Sequence, residues 1–265
     1  AIRGKSQNTI TNYKIDLNLL FKYLDNKDIE SIQDVTLQDL HDFIKFCENR
    51  GDAKTTRARR VASIKSFFRY LCRIMKLIEV NPASELETPK IEEKNPHYLT
   101  LKQSKKLLKS IDGKYKERDY AIITLFLNCG MRLTELTSID IDKIKGDTLV
   151  VVGKGNKERT IYLNDVCISA LENYMKVRPN FNTKALFVSE RKQRISYRTV
   201  QETVKKYLNK AGLDTNTLST HSLRHTSATL MYKYGKVDIR TLQEILGHKS
   251  IATTEIYTHV DDEQL

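Results

Sequence analysis

The sequence predicts a mainly α-helical protein in two parts: a small all-helical N-terminal domain, then an α-rich domain carrying a small β-hairpin or sheet. Three observations predict it. Apolar residues recur at helical spacing through both parts. Three of the four prolines, Pro82, Pro89 and Pro96, fall in the polar, aperiodic stretch NPASELETPKIEEKNP, which has the composition of a linker. The β-branched run TLVVV is joined through GKGNK to RTIYL, the pattern of a hairpin. The domains are set at 1–88 and 98–265, with the linker at 89–97.

In the first part, Ile10, Tyr13, Leu17, Leu20, Phe21 and Leu24 share one helical face after a cap at Ser6. Thr36 caps a second helix through Leu37, Leu40, Phe43, Ile44 and Cys47, with Asp39 at its third position. A third helix, about 54–76, has the apolar stripe Val61, Ile64, Phe68, Leu71 and Met75. Lys54, Arg57, Arg59, Arg60, Lys65, Arg69, Arg73 and Lys76 also lie on it, and no acid occurs between Asp52 and Glu79. A solvated helix face usually mixes signs, so one sign over six turns points to a polyanion.

In the second part, Thr100 and Gln103 form a capping box before Lys102 to Ile111. Arg118 to Asn128 is apolar on most faces, which makes it a central buried helix ended by Gly130. After the hairpin, helices are expected near 165–177, 197–211, 221–234, 238–246 and 250–259, with a short strand at Ala185–Val188.

Lys and Arg total 45 against 33 Asp and Glu, a formal charge of +12. Both sides of the linker carry a cationic excess, as expected if both touch one polyanion. No apolar run approaches the length of a membrane span, and the N-terminus has no apolar signal core. With no initiator Met, the numbering is expected to begin inside a longer chain. Cys47, Cys72, Cys129 and Cys167 lack C-x-x-C spacing and read as free thiols in a reducing cytoplasm, not as a disulfide or zinc framework.

Four segments carry candidate chemistry: GMRLTEL with Arg132 and Glu135, GKGNK with Lys154, HSLRH with His221 and Arg224, and LGHKSIATTEIYTHV with His248 and Tyr257. Singly, each has a plain structural explanation: a salt bridge, a solvated turn lysine, a packed tyrosine. His221 and His225 at i, i+4 suggest zinc, but the glutamate of H-E-x-x-H is absent and Arg224 would repel a metal. Together the segments supply a phosphoryl-transfer set. Two arginines can hold the non-bridging oxygens of a phosphodiester. Histidines can move protons, a lysine can protonate a leaving alkoxide, and a tyrosine can be a covalent nucleophile. No carboxylate cluster for Mg²⁺ is evident, which disfavours a two-metal nuclease.

The blocks GMRLTEL, VVGKGNKERTIYL, HSLRHTSATLM and LQEILGHKSIATTEIYTHV, in that order, together with the opening KSQNTITNYKIDLNLLFKYL, resemble the tyrosine recombinase/integrase family, specifically its Xer-like branch. The resemblance covers essentially the whole chain. Departures are small: Cys129 stands where the family usually has Thr, and Met131 where Leu is common.

The resemblance implies the tyrosine recombinase fold, with a SAM-like core-binding domain and a catalytic domain clamping opposite sides of duplex DNA. It implies that Tyr257 attacks a phosphorus, leaving a 3′-phosphotyrosyl bond and a free 5′-hydroxyl. Arg132, Arg224 and His248 stabilise the phosphorane, Lys154 is the general acid, His221 assists proton transfer from Tyr257, and Glu135 orients the site. No cofactor is implied, neither metal nor ATP, because the phosphotyrosine conserves the bond energy. The implied partners are duplex DNA and further protomers, a tetramer working through a Holliday junction, with a second recombinase or accessory protein left open. Lys54, Arg57, Arg59, Arg60, Lys65, Arg69 and Arg73 would meet the DNA. The compact length leans toward chromosome-dimer resolution over mobile-element integration. A non-catalytic DNA-binding protein on the same scaffold and a type IB topoisomerase-like nicking-closing enzyme are the rival readings.

Overall fold

The structure is a computed structural model that describes residues 7–91, 96–153, 158–247, 252–255 and 257. The chain divides into two compact units, Ala1–Lys94 and Asn95–Leu265.

The first unit is built from α1 (Gln7–Asp25), α2 (Leu37–Asn49) and α3 (Lys54–Tyr70), the last running on through a π-helical turn over Leu71–Met75. The predicted stripes meet in one core of Leu20, Leu24, Leu40, Phe43, Val61, Ile64 and Phe68. Thr36 and Asp39 form a reciprocal capping box on α2. The proposed cap Ser6 lies outside the described residues.

α3 departs from expectation in its charges. Arg57 and Arg60 are buried, and Arg57 pairs with Glu48 of α2. Arg60 sits 3.0 Å from Asp52 and near Asp16 of α1, and Arg59 also pairs with Asp16. Ser63 adds a hydrogen bond of 2.7 Å to Asp16. Arg57 and Arg60, expected among the cations facing DNA, are instead buried against acids from neighbouring elements, while Arg59 is paired with Asp16 but stays partly exposed. Lys54, Arg69 and Arg73 are exposed and Lys65 is half-buried, so these cations can meet a polyanion.

The second unit contains α4 (Leu101–Lys109), α5 (Lys116–Cys129) and α6 (Leu133–Ser138), then a 3₁₀ turn over Ile141–Lys143. Strands β1 (Ile144–Lys145), β2 (Thr148–Val152) and β3 (Glu158–Tyr162) form an antiparallel sheet in the order β1-β2-β3. The predicted hairpin is thus two strands of three, with Leu149 opposite Ile161 and Val151 opposite Arg159. Helices α7 (Asp165–Val177), α8 (Tyr197–Lys210), α9 (Thr220–Lys233), α10 (Ile239–Leu246) and α11 (Ala252–Glu255) follow.

α5 is the axis of this unit. Ala121, Ile122, Ile123, Leu125 and Phe126 are all fully buried, and burying each large side chain contributes about 1.5–3 kcal/mol. α7 and α9 pack on it. Cys129 at its end lies 3.8 Å, sulfur to sulfur, from Cys167 of α7. The strand expected at Ala185–Val188 is not one. Ala185 and Val188 make isolated bridges to Asp140 and Arg194. Leu186 donates its N–H to Ile139, while the Val188 N–H goes to the Tyr174 hydroxyl. This buried run satisfies its backbone with scattered partners instead of a ladder.

Candidate active site

The site forms where the C-terminal ends of α5 and α10 meet the first turns of α6 and α9. α5 ends on Gly130 and α10 on Gly247, both left-handed, at φ +56° and +62°. A side chain at either would be strained by that φ and would crowd a neighbour. A Cβ on Gly130 would stand 2.9 Å from Leu246 Cδ2, and one on Gly247 would stand 3.1 Å from Arg159 Cδ.

Arg132 is the N-cap of α6, and its backbone N–H donates to Glu135 Oε2 at 2.8 Å. Its Nη1 donates to Glu135 Oε1 at 2.8 Å and its Nη2 to the Gly247 carbonyl at 3.0 Å. The guanidinium is thereby fixed while 32% of the side chain stays open to solvent. Glu135 is fully buried. Burial alone would raise its pKa, but hydrogen bonds and charge from Arg159 and Arg132 hold it below the ordinary carboxylate value. It is an anchored anion that aims arginines.

Arg224, on α9, is 3% exposed. It donates to the carbonyls of Gly130 and Leu246, the latter at 2.6 Å, and so ties the two helix ends together. Burial and the charge of Arg132 lower its pKa to about 10, which leaves it cationic at neutral pH. His221, one turn earlier, has its pKa lowered by partial burial and by Arg224 and Arg132. A proton acceptor next to two arginines is the result.

Tyr257 is 1% exposed. Its hydroxyl and His225 Nδ1 share a hydrogen bond of 2.7 Å. His225 in turn lies edge-on to His221, with ring centroids 4.4 Å apart. Burial pushes the Tyr257 phenol up to about 12, with Arg224 opposing. In this state, then, the phenol's partner is His225, where the sequence reading put His221. Lys154 and His248 lie outside the described residues.

Two residues of this cluster were missed in the sequence. His225 was weighed only as a zinc ligand, although its spacing from His221 already placed both on one face. Arg159 falls within VVGKGNKERTIYL, where sequence alone gives it no role. It donates to Glu135 Oε2 at 2.8 Å and to the Ile245 carbonyl. The signal was a cation two residues before Ile161, on the inward face of a strand.

Arginines fixed by hydrogen bonds beside a buried tyrosine and a histidine pair, on a helical scaffold with a small sheet, are an arrangement with the donors, the proton acceptor and the hydroxyl that phosphoryl transfer uses. The comparisons agree. Residues 97–264 match the phage integrase family and residues 2–74 the N-terminal SAM-like domain of phage integrases. The chain belongs to the phage integrase family and is a Xer-like tyrosine site-specific recombinase. It is 52% identical to tyrosine recombinase XerC of Caldanaerobacter subterraneus subsp. tengcongensis, over 100% of this chain and 81% of that protein. It is 35% identical to tyrosine recombinase XerD of Proteus mirabilis, over 99% and 86%. The crystal structure of XerH recombinase bound to a palindromic difH substrate, a post-cleavage complex, shares the fold at a TM-score of 0.81 and 24% identity, over 96% and 77%.

Proposed function

We propose that this recombinase cleaves duplex DNA by attack of the Tyr257 hydroxyl on a backbone phosphorus, its proton passing to His221 as the bond to the 5′-oxygen breaks. Arg132 and Arg224 hold the two non-bridging oxygens as negative charge grows on them. Lys154 gives its proton to the departing 5′-oxygen and His248 donates a further hydrogen bond. The phosphotyrosyl bond keeps the energy of the broken ester, so a 5′-hydroxyl from a second strand reverses the step. Two such exchanges, through a Holliday junction held by four protomers, recombine two duplexes. Likeness to XerC and XerD over nearly the whole chain supports chromosome-dimer resolution in the cytoplasm as the setting.

The observation that carries this reading is the placement of Tyr257 among His225, Arg224 and the paired helix ends. A tyrosine at 1% exposure cannot reach a phosphate, so the described state is a resting one. DNA binding must draw the phenol off His225 before attack. The test is incubation with duplex DNA selected by this protein from a random-sequence pool, followed by denaturing electrophoresis. A covalent adduct is expected from the wild type. DNA binding without any adduct would support a non-catalytic binder instead.

A further inference from the structure

Three arginines grip three successive carbonyls at the end of α10. Arg159 donates to Ile245, Arg224 to Leu246 and Arg132 to Gly247. The last carbonyls of a helix have no partner within it and carry the negative end of its dipole, so this end is a natural seat for cations. Arg132 and Arg224 belong to the phosphate site described above. Arg159 has no such role available, since its side chain is only 15% exposed and both of its terminal nitrogens are engaged, on Glu135 and on Ile245.

We propose that Arg159 is a positioning residue of the recombinase, a strut from β3 that joins the Glu135 carboxylate to the end of α10 and so fixes Arg132 for the phosphate. The inference rests on the reading of Arg132 as a phosphate ligand. Glu135 meets charge from three elements: Arg132 at the start of α6, Arg159 on β3 and, at longer range, Arg224 on α9. Without Arg159, a fully buried carboxylate keeps Arg132 as its one direct ion-pair partner among the described residues, and desolvation then favours the protonated acid. A protonated Glu135 accepts less well from Arg132, and the guanidinium loses one of the holds that aim it. The helix end would also lose one of its three cations, just before the segment that leads to His248 and Tyr257.

The experiment compares Arg159→Ala, Arg159→Lys, Glu135→Gln and the Arg159→Ala/Glu135→Gln double variant with wild type. Each is measured for single-turnover adduct formation on a nicked duplex carrying the pool-selected sequence, from about pH 5.5 to 8.5, and for affinity to the same duplex. Taking the ratio of variant to wild type cancels the titration of groups they share. Arg159→Ala should bind within about threefold of wild type yet cleave roughly 10–100-fold more slowly at high pH. Its ratio should fall further as pH drops and Glu135 takes up a proton. In the Glu135→Gln background that added acid sensitivity should vanish, and the two losses should not multiply. If Arg159→Ala no longer binds DNA, Arg159→Lys decides. It keeps a charge beside Glu135 but cannot span both partners, so cleavage should drop about tenfold with a ratio independent of pH. Wild-type cleavage by Arg159→Lys, a pH-independent ratio in a DNA-binding Arg159→Ala, or losses that multiply in the double variant would each overturn the proposal. Absence of any adduct with wild type would instead sink the reading of the site itself.

Discussion

Buried and part-buried arginines occur in both units, and their surroundings differ in kind. In the first unit, Arg57, Arg59 and Arg60 are matched by Glu48, Asp16 and Asp52. In the second, Arg132 and Arg159 share the Glu135 carboxylate, and Arg132, Arg159 and Arg224 each also donate to backbone carbonyls. The first arrangement neutralises charge and holds helices together. The second gathers three guanidinium groups around one carboxylate and the carbonyls of a helix end, with Arg132 partly open to solvent. Carbonyl dipoles can fix a guanidinium without cancelling its charge, which is what a phosphate site requires.

The comparison predicts separable effects. The largest belongs to Lys154, the cation proposed for the leaving group. Lys154→Ala should slow cleavage about 10²–10⁴-fold, the usual range for general-acid help. Sulfur in place of the bridging 5′-oxygen leaves without a proton, so it should restore most of the rate to Lys154→Ala but none to Arg224→Ala. Failure of sulfur to rescue would move the acid role to His221 or His248.

Next come Arg132→Lys and Arg224→Lys. Each keeps a charge but loses the fork, and should lose roughly 10²–10³-fold in single-turnover cleavage with little change in affinity. Near-normal rates would show that charge suffices and geometry does not.

The first unit should respond in stability. Arg60→Met leaves Asp16 and Asp52 short of a partner inside the unit and should cost about 3–5 kcal/mol in chemical denaturation. Protein that stays folded should still form the Tyr257 adduct. An Arg60→Met variant as stable as wild type would mean that the network is dispensable.

The smallest effect separates exposed from buried cations on α3. Arg69→Ala should lower the log–log salt slope of DNA binding by about one, as for one lost phosphate contact. Arg57→Ala should leave that slope unchanged. Equal slope changes in both would mean that burial does not separate the two cations on DNA.

Most of this fold was legible in the sequence because its helices carry continuous apolar stripes and because two of the capping boxes, Thr36/Asp39 and Thr100/Gln103, follow the usual Ser/Thr-to-acid-or-amide spacing. The Ala185–Val188 strand was misread because a short, fully buried apolar run has no periodicity to distinguish a ladder from an irregular segment. The basic helix was misjudged for a related reason. Acids were counted along α3 alone, whereas Asp16, Glu48 and Asp52 reach its arginines from other elements. Arg132, Glu135, Arg224 and Tyr257 were found through their local motifs. Local spacing places Arg159 on the inward face of β3 and His225 beside His221, but their partners Glu135, Ile245 and Tyr257 come from segments far apart in sequence, which no local pattern encodes.

The central claim is that Tyr257 is the nucleophile held in reserve against His225. Its most direct measurement is to trap the covalent adduct on the nicked duplex, digest it, and locate the nucleotide-bearing peptide by mass spectrometry, with Tyr257→Phe alongside. The account predicts a phosphotyrosyl linkage at Tyr257 alone, and a Tyr257→Phe variant that binds the duplex as wild type does but forms no adduct. A linkage at any other residue, or an adduct from Tyr257→Phe, would contradict it.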